Sequence, residues 1–121
     1  MTLPDCYAAL GGDYADVSAR LYSDRLVQKF VLKFPDDKSY ELLCASLAEK
    51  NYEEAFRAVH TIKGMCQNLS FTRLLESSSR LADALRNGWT PEADDLIRQV
   101  QADYQSTVTT IRTFREECGD I

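Results

Sequence analysis

Tyr52-Glu53-Glu54-Ala55-Phe56-Arg57-Ala58-Val59-His60-Thr61-Ile62-Lys63-Gly64-Met65-Cys66-Gln67-Asn68-Leu69 is the stretch that decides the fold. Tyr52, Ala55, Phe56, Val59, Ile62, Cys66 and Leu69 recur in steps of three and four, the period of an α-helix with one apolar face. That stripe centres near Val59, so His60 lies about a quarter-turn off it, at the accessible edge of the core face. Asn51 stands before the run as a cap, with Glu54 three residues on, the pattern of a capping box. Glu53, Arg57, His60, Gly64 and Gln67 follow the same steps and predict a second, polar stripe beside the apolar one. A helix with one apolar face needs other helices to cover it, and the flanks supply them.

Downstream, Ser70 is placed to cap a helix that turns Leu74, Leu75, Ser78, Leu81, Ala82 and Leu85 inward, and Asn87-Gly88 supplies its stop. Thr90-Pro91-Glu92 combines a cap residue, a proline tolerated in the first turn and an acid suited to the positive end of the dipole. It predicts the start of the last and longest helix, in which Ile97, Val100, Tyr104, Thr107, Ile111 and Phe114 form a bundle-like seam. Upstream, Tyr40, Leu43, Cys44 and Leu47 mark a helix ending near Asn51. Before the Pro35-Asp36-Asp37 turn, Ser23 caps a run in which Leu26, Val27, Phe30, Val31 and Phe34 recur at helical spacing. Residues 3–21, broken by Gly11-Gly12, read as short lead-in helices. No period-two alternation and no internal repeat appears. The expected fold is all-α: one domain over residues 1–121, with residues 23–117 forming an antiparallel up-down four-helix bundle and short N-terminal lead-in helices in residues 1–21.

A chain of 121 residues has room for one core and for no second catalytic module. Its net charge of −5 argues against nucleic-acid binding, which needs a concentrated basic surface. The start, Met1-Thr2-Leu3-Pro4-Asp5-Cys6-Tyr7, lacks the basic and apolar regions of a signal peptide, and no run approaches the roughly 20 apolar residues of a membrane span. Cys6, Cys44, Cys66 and Cys118 are too widely spaced for a CxxC pair or a dense disulfide framework. Reduced thiols in a cytoplasmic protein, without a membrane or nucleic-acid partner, are expected.

His60 is the single histidine. On a helix, Lys63 and Gly64 at offsets of three and four stand beside the imidazole. Imidazole offers an unprotonated nitrogen near neutral pH, and a neighbouring ammonium stabilises the negative charge of a transferring phosphoryl group. A glycine inside a helix costs about 1 kcal/mol relative to alanine, which asks for a reason; close approach of a partner is one, relief of crowding against a neighbouring helix the other. Gln67 is placed to hydrogen-bond a phosphoryl oxygen, and Arg57 to contact a partner. The acid pairs Asp36-Asp37 and Asp94-Asp95 fall at turns and helix starts, where local dipoles account for them.

His60-Thr61-Ile62-Lys63-Gly64, followed by Gln67-Asn68-Leu69 and Phe71-Thr72-Arg73-Leu74, resembles a histidine-containing phosphotransfer (HPt) domain of bacterial phosphorelays. The resemblance covers the chain from about Gly12 to the last helix. It implies that His60 is a phosphoacceptor taking phosphate from a receiver-domain aspartate and passing it to another receiver, with Lys63 as electrostatic stabiliser and Gly64, Gln67 and Arg57 as binding residues. It implies response-regulator receiver domains and a hybrid sensor kinase as partners, and no cofactor, with Mg²⁺ held by the receiver. A monomer fits such a role. The family's usual second glycine is replaced here by Ser70, and its usual small residues by Met65 and Cys66, which bears on partner choice. With no glycine-rich nucleotide loop, the chain is expected to have no kinase activity of its own. The alternative is a non-catalytic adaptor that binds receivers or kinases without transferring phosphate.

Overall fold

The computed structural model describes residues 1–118, which are all-helical with no strand among them. In order come α1 (Leu3–Leu10), α2 (Tyr14–Leu21), α3 (Asp24–Lys33), a 3-10 turn (Phe34–Asp36), α4 (Ser39–Ala48), α5 (Tyr52–Leu69), α6 (Thr72–Leu85) and α7 (Ala93–Cys118). No helix among the described residues is long and apolar enough to cross a membrane.

Local chemistry sets most of the boundaries. The Ser23 hydroxyl accepts from the Leu26 amide and opens α3. Pro35 cannot continue α3, whose end tightens into the 3-10 turn. Asn51 Oδ1 accepts from the Glu54 amide at 3.2 Å and starts α5. Gly88, at φ 102°, turns the chain out of α6.

α4 packs on α5, α5 on α6 and α6 on α7, while α1 and α3 lean on α7 and α2 joins them to each other. Ala55, Val59, Ile62 and Cys66 of α5 meet a core shared with Leu43, Leu74, Leu81, Ile111 and Phe114. A continuous series of rings links these helices: Tyr14 to Tyr7 at 6.1 Å, Tyr7 to Phe71 at 5.7 Å, Phe71 to Phe34 at 5.1 Å and Phe34 to Tyr104 at 5.8 Å. Tyr40 of α4 then stacks on Tyr104 of α7 at 3.8 Å. Edge-on and offset ring pairs of this kind add to plain area burial and fix relative orientation.

Gly11-Gly12 is a docking element as well as a helix break. The Arg73 amide donates to Gly11 O at 3.0 Å, and the Asp13 amide donates to Ser70 O at 2.8 Å, so the α1–α2 turn is bonded to the turn that ends α5. A Cβ on Gly12 would lie 2.8 Å from Tyr7 Cδ2 and 2.9 Å from Ser70 O, a backbone atom with little freedom to retreat. Gly12→Ala should therefore cost about 1–3 kcal/mol by overpacking. Gly11→Ala should cost less, about 1 kcal/mol for its positive φ, because the atoms it would meet are the mobile end of Arg73. Urea midpoints of the two variants test this; equal midpoints would contradict the interlock.

Ser70, Thr90 and Phe30 depart from expectation. Ser70 does not cap α6: it is the left-handed C-cap of α5, at φ 57° and ψ 41°, and α6 starts after Phe71 with no side-chain cap. Its hydroxyl is already engaged, donating to Asp16 Oδ2 at 2.6 Å and accepting from Arg20 Nη2 at 2.6 Å. A left-handed serine costs about 1–2 kcal/mol, which those charge-assisted bonds offset, and the same φ is what a glycine there would adopt freely. Thr90 likewise caps nothing, since its Oγ1 is buried without a partner and α7 begins at Ala93, after a turn closed by the Ala93 amide on Thr90 O. Phe30 has helical core spacing but is 37% exposed, because Val27, Val31 and Phe34 occupy the buried arc and leave it at the margin.

The four cysteines are unpaired, with Cys6 and Cys66 buried, Cys44 half-buried and Cys118 exposed. Burial pushes the Cys66 thiol up to about 12 and the Cys6 thiol up to about 11, from an ordinary 9.0. The folded state thus keeps protons that the unfolded chain gives up. Stability should be full below about pH 9 and fall as pH rises through the folded values, by about 1.4 kcal/mol per pH unit for Cys66. Urea midpoints between pH 8 and 11 should decline, with a shallower decline in Cys66→Ala. A flat midpoint would contradict the burial of these thiols.

Candidate functional site

α5 presents two faces. Ala55, Ala58, Val59, Ile62, Cys66 and Leu69 are buried, while Glu53, Arg57, His60, Gly64 and Gln67 are exposed, so the polar stripe lies where its spacing predicts. The turn beyond α5 is fixed from three directions. The Phe71 amide donates to Cys66 O at 3.0 Å, Tyr7 donates through its hydroxyl to Leu69 O at 2.7 Å, and Arg20 Nη2 donates to Gln67 O at 3.0 Å. Carbonyls that a helix end leaves without partners are thereby satisfied, and the last turns of α5 are held in place.

The His60 ring is exposed, and among the described residues no hydrogen bond occupies either nitrogen. Its one ring neighbour is Phe56, one turn earlier, with centroids 5.8 Å apart and planes at 41°. The Arg86 guanidinium, at the end of α6, lies 5.8 Å from the centre of the same Phe56 ring. Lys63 is half-buried one turn beyond His60 and makes no ion pair among the described residues. A Cβ built on Gly64 would have nothing within 4 Å. Internal packing therefore gives no reason for that glycine, and the crowding explanation fails. The open space points outward, at the centre of the exposed face of α5.

Other expected residues are placed differently from one another. Arg57 is tied to its own helix, 3.0 Å from Glu53 and 3.5 Å from Glu54, so the Glu54 carboxylate that would close a capping box faces Arg57 instead. Exposed pairs like these are worth under about 1 kcal/mol and a partner can break them. Gln67 has its side chain exposed beyond Gly64 while its carbonyl is held by Arg20. Cys66 lies in the core, out of reach of any partner. Met65 sits around the flank, where it lines a groove with Phe30, Lys33, Asn68 and Leu69. The acid pairs do local work: Asp37 accepts from the Ser39 amide at 2.8 Å, and Asp95 pairs with Arg98 at 3.3 Å.

The Hpt domain family matches residues 25–110, from the start of α3 through most of α7, with His60, Lys63 and Gly64 inside the match. The chain belongs to the Hpt domain family. Comparison with curated proteins and with solved structures gives no match. Hpt domains work in phosphorelays of two-component signalling, where they interact with receiver domains and kinases. In this Hpt domain the matched region begins after α1 and α2, yet both are bonded to the end of α5 through Tyr7, Asp13 and Arg20.

Phe56, Arg86 and the Asp16-Arg20-Ser70 group are features that sequence spacing did not single out. Phe56 reads as one more apolar position, and nothing in the run around Arg86 marks its approach to α5. The only local signal for the third group is Gly11-Gly12, which says that the chain turns closely there without saying against what.

Proposed function

We propose that the protein is a phosphorelay intermediate: His60 accepts a phosphoryl group from a receiver-domain aspartate and passes it to another receiver. The observation that carries this reading is the open space over Gly64 beside an exposed, unbonded imidazole, in a chain of the Hpt domain family. An imidazole nitrogen attacks the phosphorus, an N–P bond forms, and the P–O bond to the aspartyl carboxylate breaks as that carboxylate leaves with the electron pair. Return to a second aspartate reverses the same steps. The Lys63 ammonium follows His60 by one turn and stabilises the charge spread over the transferring oxygens. Gly64 admits the partner's backbone, while Gln67 and Arg57 contact its rim.

The same reading treats residues 1–121 as one domain. The bundle expected over residues 23–117 comes down to α4 to α7, which close as an antiparallel up-down four-helix bundle, supported by their consecutive packing, their short turns and the Tyr40–Tyr104 stack, while α3, inside those bounds, packs on α7 beside the N-terminal helices. α1 to α3 cap one end. The chain works as a monomer in the cytoplasm, takes phosphate that a hybrid sensor kinase has placed on a receiver, and needs no cofactor of its own, Mg²⁺ belonging to the receiver. Incubation with each of a panel of phosphorylated receiver domains should move an acid-labile label onto this chain from at least one of them. Binding of a receiver with no transfer in either direction would favour an adaptor and sink the relay.

A further inference from the structure

Most arginines on the outer surface are answered by a carboxylate on their own helix: Arg20 by Asp16, Arg57 by Glu53, Arg80 by Glu76, Arg86 by Asp83 and Arg98 by Asp95. α3 departs from that pattern. Arg25, Lys29 and Lys33 stand four residues apart, so they form one row along the helix; all three are exposed, and none has an ion-pair partner among the described residues. On a chain of net charge −5 this row is a local reversal of sign. Its end is also the edge of a groove, in which Lys33 and the exposed Phe30, with Phe34 and the Asp37 carboxylate beside them, face Met65, Asn68 and Leu69 of α5. Asn68 is one helical turn beyond Gly64, so the groove continues into the open His60 face.

We propose that α3 is an electrostatic guide for the receiver domain: Arg25, Lys29 and Lys33 draw in an acidic surface beside the aspartyl phosphate, and Phe30 seats an apolar contact in the groove. This rests on the relay reading above and names the partner chemistry that its site selects. The donor must bring negative charge, because an acyl phosphate on an aspartate is itself anionic. Oriented charge on an approaching surface raises encounter rates by about 10–1,000-fold at low salt, and the gain fades once the Debye length falls to about 3 Å near 1 M. Three cations spanning about 12 Å of helix are too few for salt-resistant nucleic-acid binding. They do suit a small protein surface that must bind briefly and leave.

The test uses the receiver that labels the protein fastest in the panel above. The triple variant Arg25→Glu, Lys29→Glu, Lys33→Glu is compared with Arg80→Glu, Arg98→Glu, which reverses charge on α6 and α7. The expected result is a fall of at least tenfold in the second-order transfer constant at low salt, a saturated transfer rate within twofold of the parent, and a gap that narrows at 0.5 M salt. The neutral triple Arg25→Gln, Lys29→Gln, Lys33→Gln should fall between the two. Equal losses in the α3 and control variants would overturn the guide, as would a loss confined to the saturated rate. Sedimentation with phosphatidylserine vesicles that vanishes in the α3 variant, with transfer unchanged, would reassign the row to an anionic lipid surface. In these cases the relay itself survives; if no receiver labels the chain, both readings fall together.

Discussion

His60→Gln is expected to abolish phosphoryl transfer, by at least a thousandfold, while leaving the fold as stable as before. The ring is exposed and touches one aromatic neighbour, Phe56, so its loss removes little packing. Exposed substitutions of this kind stay within about 0.5 kcal/mol. Glutamine keeps a polar group of similar reach but has no nitrogen able to form and break an N–P bond. Transfer and urea denaturation measured on one preparation separate the two consequences. Label retained in His60→Gln would place the acceptor elsewhere, and a large drop in midpoint would show that His60 serves the core.

Gly64→Leu is expected to move stability and function in opposite directions. Mid-helix glycine is about 0.8–1 kcal/mol worse than leucine or alanine, and a Cβ there meets nothing within 4 Å, so the substitution should raise the melting temperature by about 3–5 °C. A branched side chain at the centre of the exposed face of α5 holds a docking partner off, and transfer should fall about 100-fold, equivalent to about 2.7 kcal/mol. Gly64→Ala should show the same gain in stability with a smaller loss of transfer. Normal transfer in Gly64→Leu would mean that no partner uses the open space. A lower melting temperature would mean that the glycine is needed for packing after all.

Most of what lies along one helix was legible in the sequence of this protein, and the parts made by two helices meeting were not. The apolar stripe of α5 and the exposed stripe through His60, Gly64 and Gln67 follow from a 3.6-residue period, and the structure buries and exposes them accordingly. Asn51, Ser23 and Gly88 act locally, through bonds or turns within a few residues, and their roles followed from residue type. Ser70 shows where that logic stops. As a serine before a helix it looks like a cap, yet the bonds that decide its conformation come from Asp16 and Arg20, 54 and 50 residues away. Phe30 fails for a related reason, since periodicity gives a face and only packing decides how far that face extends. The approach of Arg86 to Phe56 and the bonding of Gly11-Gly12 to the end of α5 depend on distant segments, and local spacing carries no trace of either. Among the site residues, Gly64 was the most informative. Its helix cost could be read directly, and choosing between its two explanations needed only the space around it.

The most direct measurement is phosphorus-31 and nitrogen-15 NMR of imidazole-labelled protein after transfer from a phosphorylated receiver. His60 as the acceptor predicts one phosphoramidate resonance coupled to one of its ring nitrogens, lost on mild acid treatment and regained when the receiver is added again. An acyl-phosphate signal from a carboxylate of this chain, or an acid-stable phosphoester on serine or threonine, would contradict it.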